Sequence, residues 1–258
     1  MRNLLLASAA LAVANAAQPA LAAPAKAKPA ASATLPASNP FAQPSALPFQ
    51  APDFAKIKDS DYLPALLAGM AQQKREVMAI ANNPAPPTFG NTVVAMERSG
   101  LLLERANLAF QAVNGANTND TLQATDTKTS PLFAAHNDFI FLNAKLYQRF
   151  KTLHDNQASL GLNAEQAKVL DVYYKQFVHA GAELPPAKQA ELKAMNTRLS
   201  TLQTQFTQKL LAAAKAGALH VTDASALAGL SPEQLAAAEQ AAKASREAAE
   251  SQKALPLA

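Results

Sequence analysis

Apolar residues recur along this chain at steps of three, four and seven, the spacing that places side chains on one face of a helix. Tyr62, Leu66, Met70, Val77 and Ile80 fall on one side of a first helix, with Asp59 or Ser60 as its cap and Pro64 in its early turns. That helix stops before Pro84, because Pro84, Pro86 and Pro87 each lack an N–H donor and crowd the preceding turn. Thr88 follows, placed to accept from an unpaired N–H of a new first turn. Phe89, Val93, Met96, Leu103 and Phe110 then predict one long helix with a single apolar stripe. Gly100 lies on that stripe, where a missing side chain would let a neighbouring helix approach. Gly115 is expected to end the helix in a left-handed turn.

A third helix begins near Asn119 and is expected to kink or divide at Pro131. Asn114, Asn117 and Asn119 gather at the junction before it and read as caps. A fourth helix spans residues 144–155, with Leu146, Phe150 and Leu153 at helical spacing, and Gly161 makes the turn after it. Asn163 opens a fifth, with Val169, Tyr173, Phe177 and Ala180 inward and Gly181 at its end. Pro185 and Pro186 open the longest helix. Its stripe of Leu192, Met195, Leu199, Leu202 and Phe206 is expected to be core, packed on antiparallel partners. Leu219-His220-Val221 is the one short extended candidate. Ser231-Pro232-Glu233-Gln234 starts a last, alanine-rich helix that fades by about Glu250. The pattern predicts an all-α fold, an antiparallel multi-helix bundle over residues 59–250, followed by a tail over 251–258.

The amino-terminal residues follow a different logic. Residues 1–22 read as a secretory signal peptide: Arg2 supplies the positive start, residues 4–14 a short apolar run, and Ala20-Leu21-Ala22 a small-x-small cleavage pattern. The run is shorter than the ~20 apolar residues of a membrane span. A periplasmic or secreted protein is therefore expected, with no membrane span after signal removal. Residues 23–38 read as a disordered Ala/Pro linker. Residues 39–58 place Phe41, Leu47, Phe49 and Phe54 among prolines, and are expected to lie as an extended arm across the helices.

Composition narrows the function classes. The chain has no cysteine, so apolar burial rather than disulfides must hold it together. Its net charge of +4 is carried by scattered lysines without interleaved aromatics, which argues against a nucleic-acid partner.

Several segments, in order, resemble one family. "ANNPAPPTFGNTVVAMERSG" and "GANTND" are similar to the amino-terminal region of the thimet-oligopeptidase-like zinc metallopeptidases, and most like the bacterial peptidyl-dipeptidases. "NPFAQPSALPFQAPDFAKIKDSDYLPAL" precedes them. "SPLFAAHNDFIFLNAKLYQRFKTLHD", "LDVYYKQFVHAGAELP" and "LHVTDASALAGLSPEQLAAA" follow. Gly90 stands where that family usually has Glu, and Ala144 where it often has Pro. The resemblance implies one helical wall of a deep channel that admits short peptides, with zinc and the catalytic residues in another half.

The chemistry of that other half is absent here. H-E-x-x-H works because two histidines one helical turn apart face the same way to bind zinc, and the Glu between them activates water. The four histidines are His136, His154, His179 and His220; no two are four apart and none precedes a Glu. His136 reads as a packed core residue, and His154 and His179 as last-turn residues that suit the carbonyl end of a helix. No nucleophile motif, phosphate loop or paired-carboxylate arrangement occurs. Catalytic, metal-binding and cofactor-binding residues are therefore all expected to be none. The expectation is a channel wall, inactive alone, whose missing catalytic half would leave an apolar surface bare and promote association. The alternative is a non-enzymatic exported module that binds peptides or another protein.

Overall fold

The computed structural model describes residues 35–217, 221 and 223–253. The expected signal peptide, most of the Ala/Pro linker, and Leu219 and His220 lie outside the described residues. Val221 has no regular structure. Among the described residues the regular elements are all helical. Besides three short 3-10 turns (Pro48–Gln50, Gln157–Ser159 and Ala224–Leu227), they are α1 (Asp59–Ala81), a π-helical stretch (Phe89–Val94) running into the single turn α2 (Ala95–Glu97), α3 (Leu101–Ala116) and α4 (Asp120–Phe141). After them come α5 (Ala144–Asp155), α6 (Ala164–His179), α7 (Pro186–Ala216) and α8 (Pro232–Lys253).

Cross-helix pairs fix the directions. Tyr62 meets Phe110 edge-on at 5.5 Å, and Gly69 abuts Leu103, so α1 and α3 run antiparallel. Asp59 accepts from Asn119 at 2.7 Å and Gln73 pairs with His136 at 2.7 Å, so α4 lies parallel to α1. Phe150 meets Phe177 at 5.0 Å in a tilted pair while His154 stacks on Tyr174, which makes α5 and α6 antiparallel.

Burial divides into two cores. One joins Tyr62, Leu66 and Met70 of α1 to Leu103, Ala106 and Phe110 of α3, with Phe41 from the preceding arm. The other joins Val77 and Ile80 to Val93, Met96, Phe150 and Phe177. The single stripe expected over residues 89–110 is thus shared between two cores, and the expected long helix is broken. Gly100 breaks it, at a left-handed φ of 78° where a side chain would be strained and would run into Gln73. Its N–H donates to Glu76 Oε2 at 2.7 Å, which fixes the entry to α3. The close helix approach expected at Gly100 occurs at Gly69 instead, where an added Cβ would sit 2.7 Å from Leu103 Cα. Backbone cannot step aside as a flexible side chain can. Gly69→Ala is expected to cost about 1–3 kcal/mol through overpacking, read from urea unfolding.

Four further expectations are corrected. Gly115 stays inside α3, which ends at Ala116 with Asn117 as its C-cap. Pro131 does not divide α4, which runs continuously from Asp120 to Phe141. The N-cap of α1 is Lys58, whose N–H donates to the Asp61 carboxylate at 2.8 Å. And α8 extends to Lys253 rather than fading at Glu250. Other caps match their residues: Thr88 and Asn91 bond each other's backbone, as do Asn163 and Gln166, and Ser231 and Gln234.

The largest correction concerns α7. Its stripe is not core: Met195, Leu199, Leu202 and Phe206 are 59%, 54%, 48% and 68% exposed, and Leu192 is only half-buried. The helix turns its polar side to α4. Asn196 donates to Asp138 at 2.7 Å, Thr204 meets Ser130, and Gln208 donates to Thr127 at 2.8 Å and to the Gln123 carbonyl at 3.2 Å. These three α7 residues are spaced by eight and four, which keeps them on one helix face. Periodicity locates an apolar face; it does not say whether anything covers it.

Candidate functional site

Three features stand apart from ordinary core packing: the outward face of α7, a polar cleft around His136, and a clamp around Arg149.

The apolar row of α7 continues past Phe206 to Leu210 and Leu211, which are 58% and 46% exposed. Beside it, at the junction of α3, α4 and α7, lies a cavity of about 480 Å³ lined by Asn114, Thr118, Asp126, Ser130, Thr204 and Leu211. Burial raises the Asp126 carboxyl above its ordinary range. Of the three asparagines expected as caps, Asn119 caps α4 by accepting from Leu122 N at 3.1 Å and Asn117 closes α3. Asn114 instead accepts from the Thr118 hydroxyl at 2.7 Å.

The second feature is a cavity of about 440 Å³ walled by Gln73, Glu97, Gly100, Glu104, His136 and Tyr173. His136 is 4% exposed and its Nε2 lies 2.7 Å from Gln73 Oε1, so the ring carries its proton on Nε2. Tyr173 bonds Glu97, and its phenol is raised well above its usual range by burial first and by that carboxylate second. Burial lowers His136 from 6.5 to about 4, and the Lys74 ammonium adds to the shift. The unfolded chain takes up a proton near pH 6.5, whereas the folded chain resists until about pH 4. The contribution is therefore fully present above pH 6.5 and is lost as the pH falls towards 4. Over that window the chain is expected to lose about 3 kcal/mol more than a His136→Leu variant, measured by urea unfolding at stepped pH.

The third feature explains how the proline-rich entry is held. Arg149 is 7% exposed. Its guanidinium donates to the carbonyls of Asn83 and Ala85 at 3.0 and 3.1 Å, to Asn91 Oδ1 at 2.7 Å and to Thr92 Oγ1 at 3.3 Å. The segment before the π-helical stretch has no ladder of its own, so this cation takes the place of one.

The three described histidines remain separate. His136 is engaged by Gln73. His154 stacks on Tyr174 at 3.9 Å with Asp171 Oδ1 3.8 Å from its Nε2, and His179 is exposed at the end of α6. Among the described residues no group of three or more His, Asp or Glu side chains is placed to hold a metal ion. The described donor set does not fit zinc.

The chain is 46% identical over 206 residues to a dipeptidyl carboxypeptidase of Salmonella typhimurium, and 43% identical over 205 residues to one of Escherichia coli. Over most of its own length the chain is similar to the dipeptidyl carboxypeptidases. Each match covers 80% of this chain and 30% of the relative, so the chain spans less than a third of their length. The correspondence is to the amino-terminal part of that family. Oligopeptidase A of Escherichia coli is more distant, 28% identical over 76% of the chain. No family model matches. No described helix is long and apolar enough to cross a membrane. Sequence reasoning missed the Arg149 clamp, whose one signal was an arginine on the apolar side of a short amphipathic helix.

Proposed function

We propose that this chain is the helical, channel-lining portion of a dipeptidyl carboxypeptidase-like peptidase acting on short peptides, and that hydrolysis is done by residues it does not contain. The identity of 46% over 206 residues carries the reading. The outward stripe of α7 supports it, because a bared apolar helix face is what a second packed body would cover. In this reading zinc belongs to that second body. The polar cavities of this chain contribute walls rather than chemistry. The amino-terminal charge and apolar run support export to the periplasm or beyond, and mass spectrometry of the secreted chain should then find Ala23 first.

The test is an assay of the purified chain on short peptides with a free carboxy terminus, with and without added zinc. No dipeptide should appear. Zinc-dependent release would overturn the reading.

A further inference from the structure

A cation with no counter-charge among the described residues sits in an apolar hollow between the arm and α3. The hollow holds about 400 Å³ and is lined by Phe41, Phe49, Pro52, Ile57, Arg105 and Leu108, among others. Arg105 has five N–H donors to place. Its one hydrogen bond among the described residues is a long one, 3.3 Å from Nη2 to the Phe41 carbonyl, and its Nε is buried without a partner. Burial lowers its pKa, and no carboxylate offsets that. Lys56 and Asp53, on the same wall, neutralise each other at 2.7 Å, so the hollow is left positive. Residues 1–34 contain no Asp or Glu to supply the missing charge.

The rim is equally unusual. Phe49 and Gln50 are consecutive non-glycine residues at left-handed φ of 58° and 54°. Each such residue costs on the order of 1 kcal/mol, and that cost is tolerated where a side chain must be aimed. It holds the Phe49 ring fully exposed on the lining of the hollow, which it shares with Leu108, 62% exposed. An apolar wall beside an unpaired guanidinium matches a ligand with an apolar chain and one carboxylate, because the fork of Arg takes a carboxylate through two parallel bonds.

We propose that this hollow binds an apolar monocarboxylate, with Arg105 holding the carboxylate and Phe49 and Leu108 covering the chain. A free fatty acid and the carboxy-terminal residue of a peptide share this chemistry. The site is independent of the peptidase reading, since it uses neither α7 nor zinc. Calorimetric titration of the full chain with octanoate and with N-acetyl-phenylalanyl-leucine distinguishes the two sources. Octanamide and the peptide amide serve as neutral controls.

At least one carboxylate should bind in a one-to-one ratio, at least about tenfold more tightly than its amide. Arg105→Gln should remove that preference. Phe49→Ser, at a side chain that contributes nothing to the core, should weaken both amide and carboxylate while leaving the melting temperature unchanged. Whichever of the two binds more tightly names the source. Equal binding of acid and amide, no saturable binding of either acid, or unchanged affinity in Phe49→Ser would each overturn the proposal.

Discussion

Replacing Leu199, Leu202 and Phe206 together by glutamine will turn a self-associating chain into a monomer and leave its melting temperature almost unchanged. These side chains are 54%, 48% and 68% exposed on the outer face of α7, while the inner face is held by Asn196, Thr204 and Gln208 against α4. Covering half of each such side chain contributes about 1 kcal/mol, so a second molecule gains several from this row alone. The folded chain gains little from it, and glutamine is nearly as good a helix former as leucine. Unfolding free energy should therefore shift by no more than about 0.5 kcal/mol per substitution. Sedimentation velocity over a concentration series reads the association and thermal melts read the stability. A wild-type chain that is monomeric at every concentration would refute the account of α7. So would a triple variant that unfolds early.

Arg149→Met is expected to destabilise the chain by about 3 kcal/mol. Methionine fills a similar volume but donates nothing. The Asn83 and Ala85 carbonyls, Asn91 Oδ1 and Thr92 Oγ1 all lose a donor at once. Ion pairing does not enter, since none of these four acceptors is a carboxylate. Arg149→Lys keeps the charge but cannot span four acceptors from one planar fork, so it should recover only part of the loss. For a domain of this size the Met variant should melt about 6–12 °C lower. A drop within about 1 kcal/mol in urea unfolding would mean that the proline-rich entry is held by something other than this clamp.

What the sequence made legible follows from what periodicity and capping encode. Asn163, Ser231 and Thr88 announced their helices because a capping side chain acts within three residues. The α5 boundaries and the burial of Leu146, Phe150 and Leu153 followed for the same local reason. The errors arose where a partner decides the outcome. Gly100 looked like a packing glycine and is a left-handed break, because Glu76 and Gln73 of α1 shape its surroundings. Gly69, thirty-four residues before Leu103, gives no local sign that Leu103 presses on it. The α7 stripe reads as core in the sequence because an amphipathic helix looks the same whether its apolar side is covered or bare. Arg149 carries no local signal of its role, since its acceptors are two backbone carbonyls, an amide and a hydroxyl some sixty residues away in sequence.

Mixing this chain with the remaining, unmatched portion of the Salmonella typhimurium dipeptidyl carboxypeptidase tests the central claim most directly, with release of dipeptides from a short peptide as the readout. Activity should appear only in the mixture, and it should fall when Leu199, Leu202 and Phe206 are changed to glutamine. Activity from this chain by itself, or a mixture whose activity ignores the α7 substitutions, would contradict it.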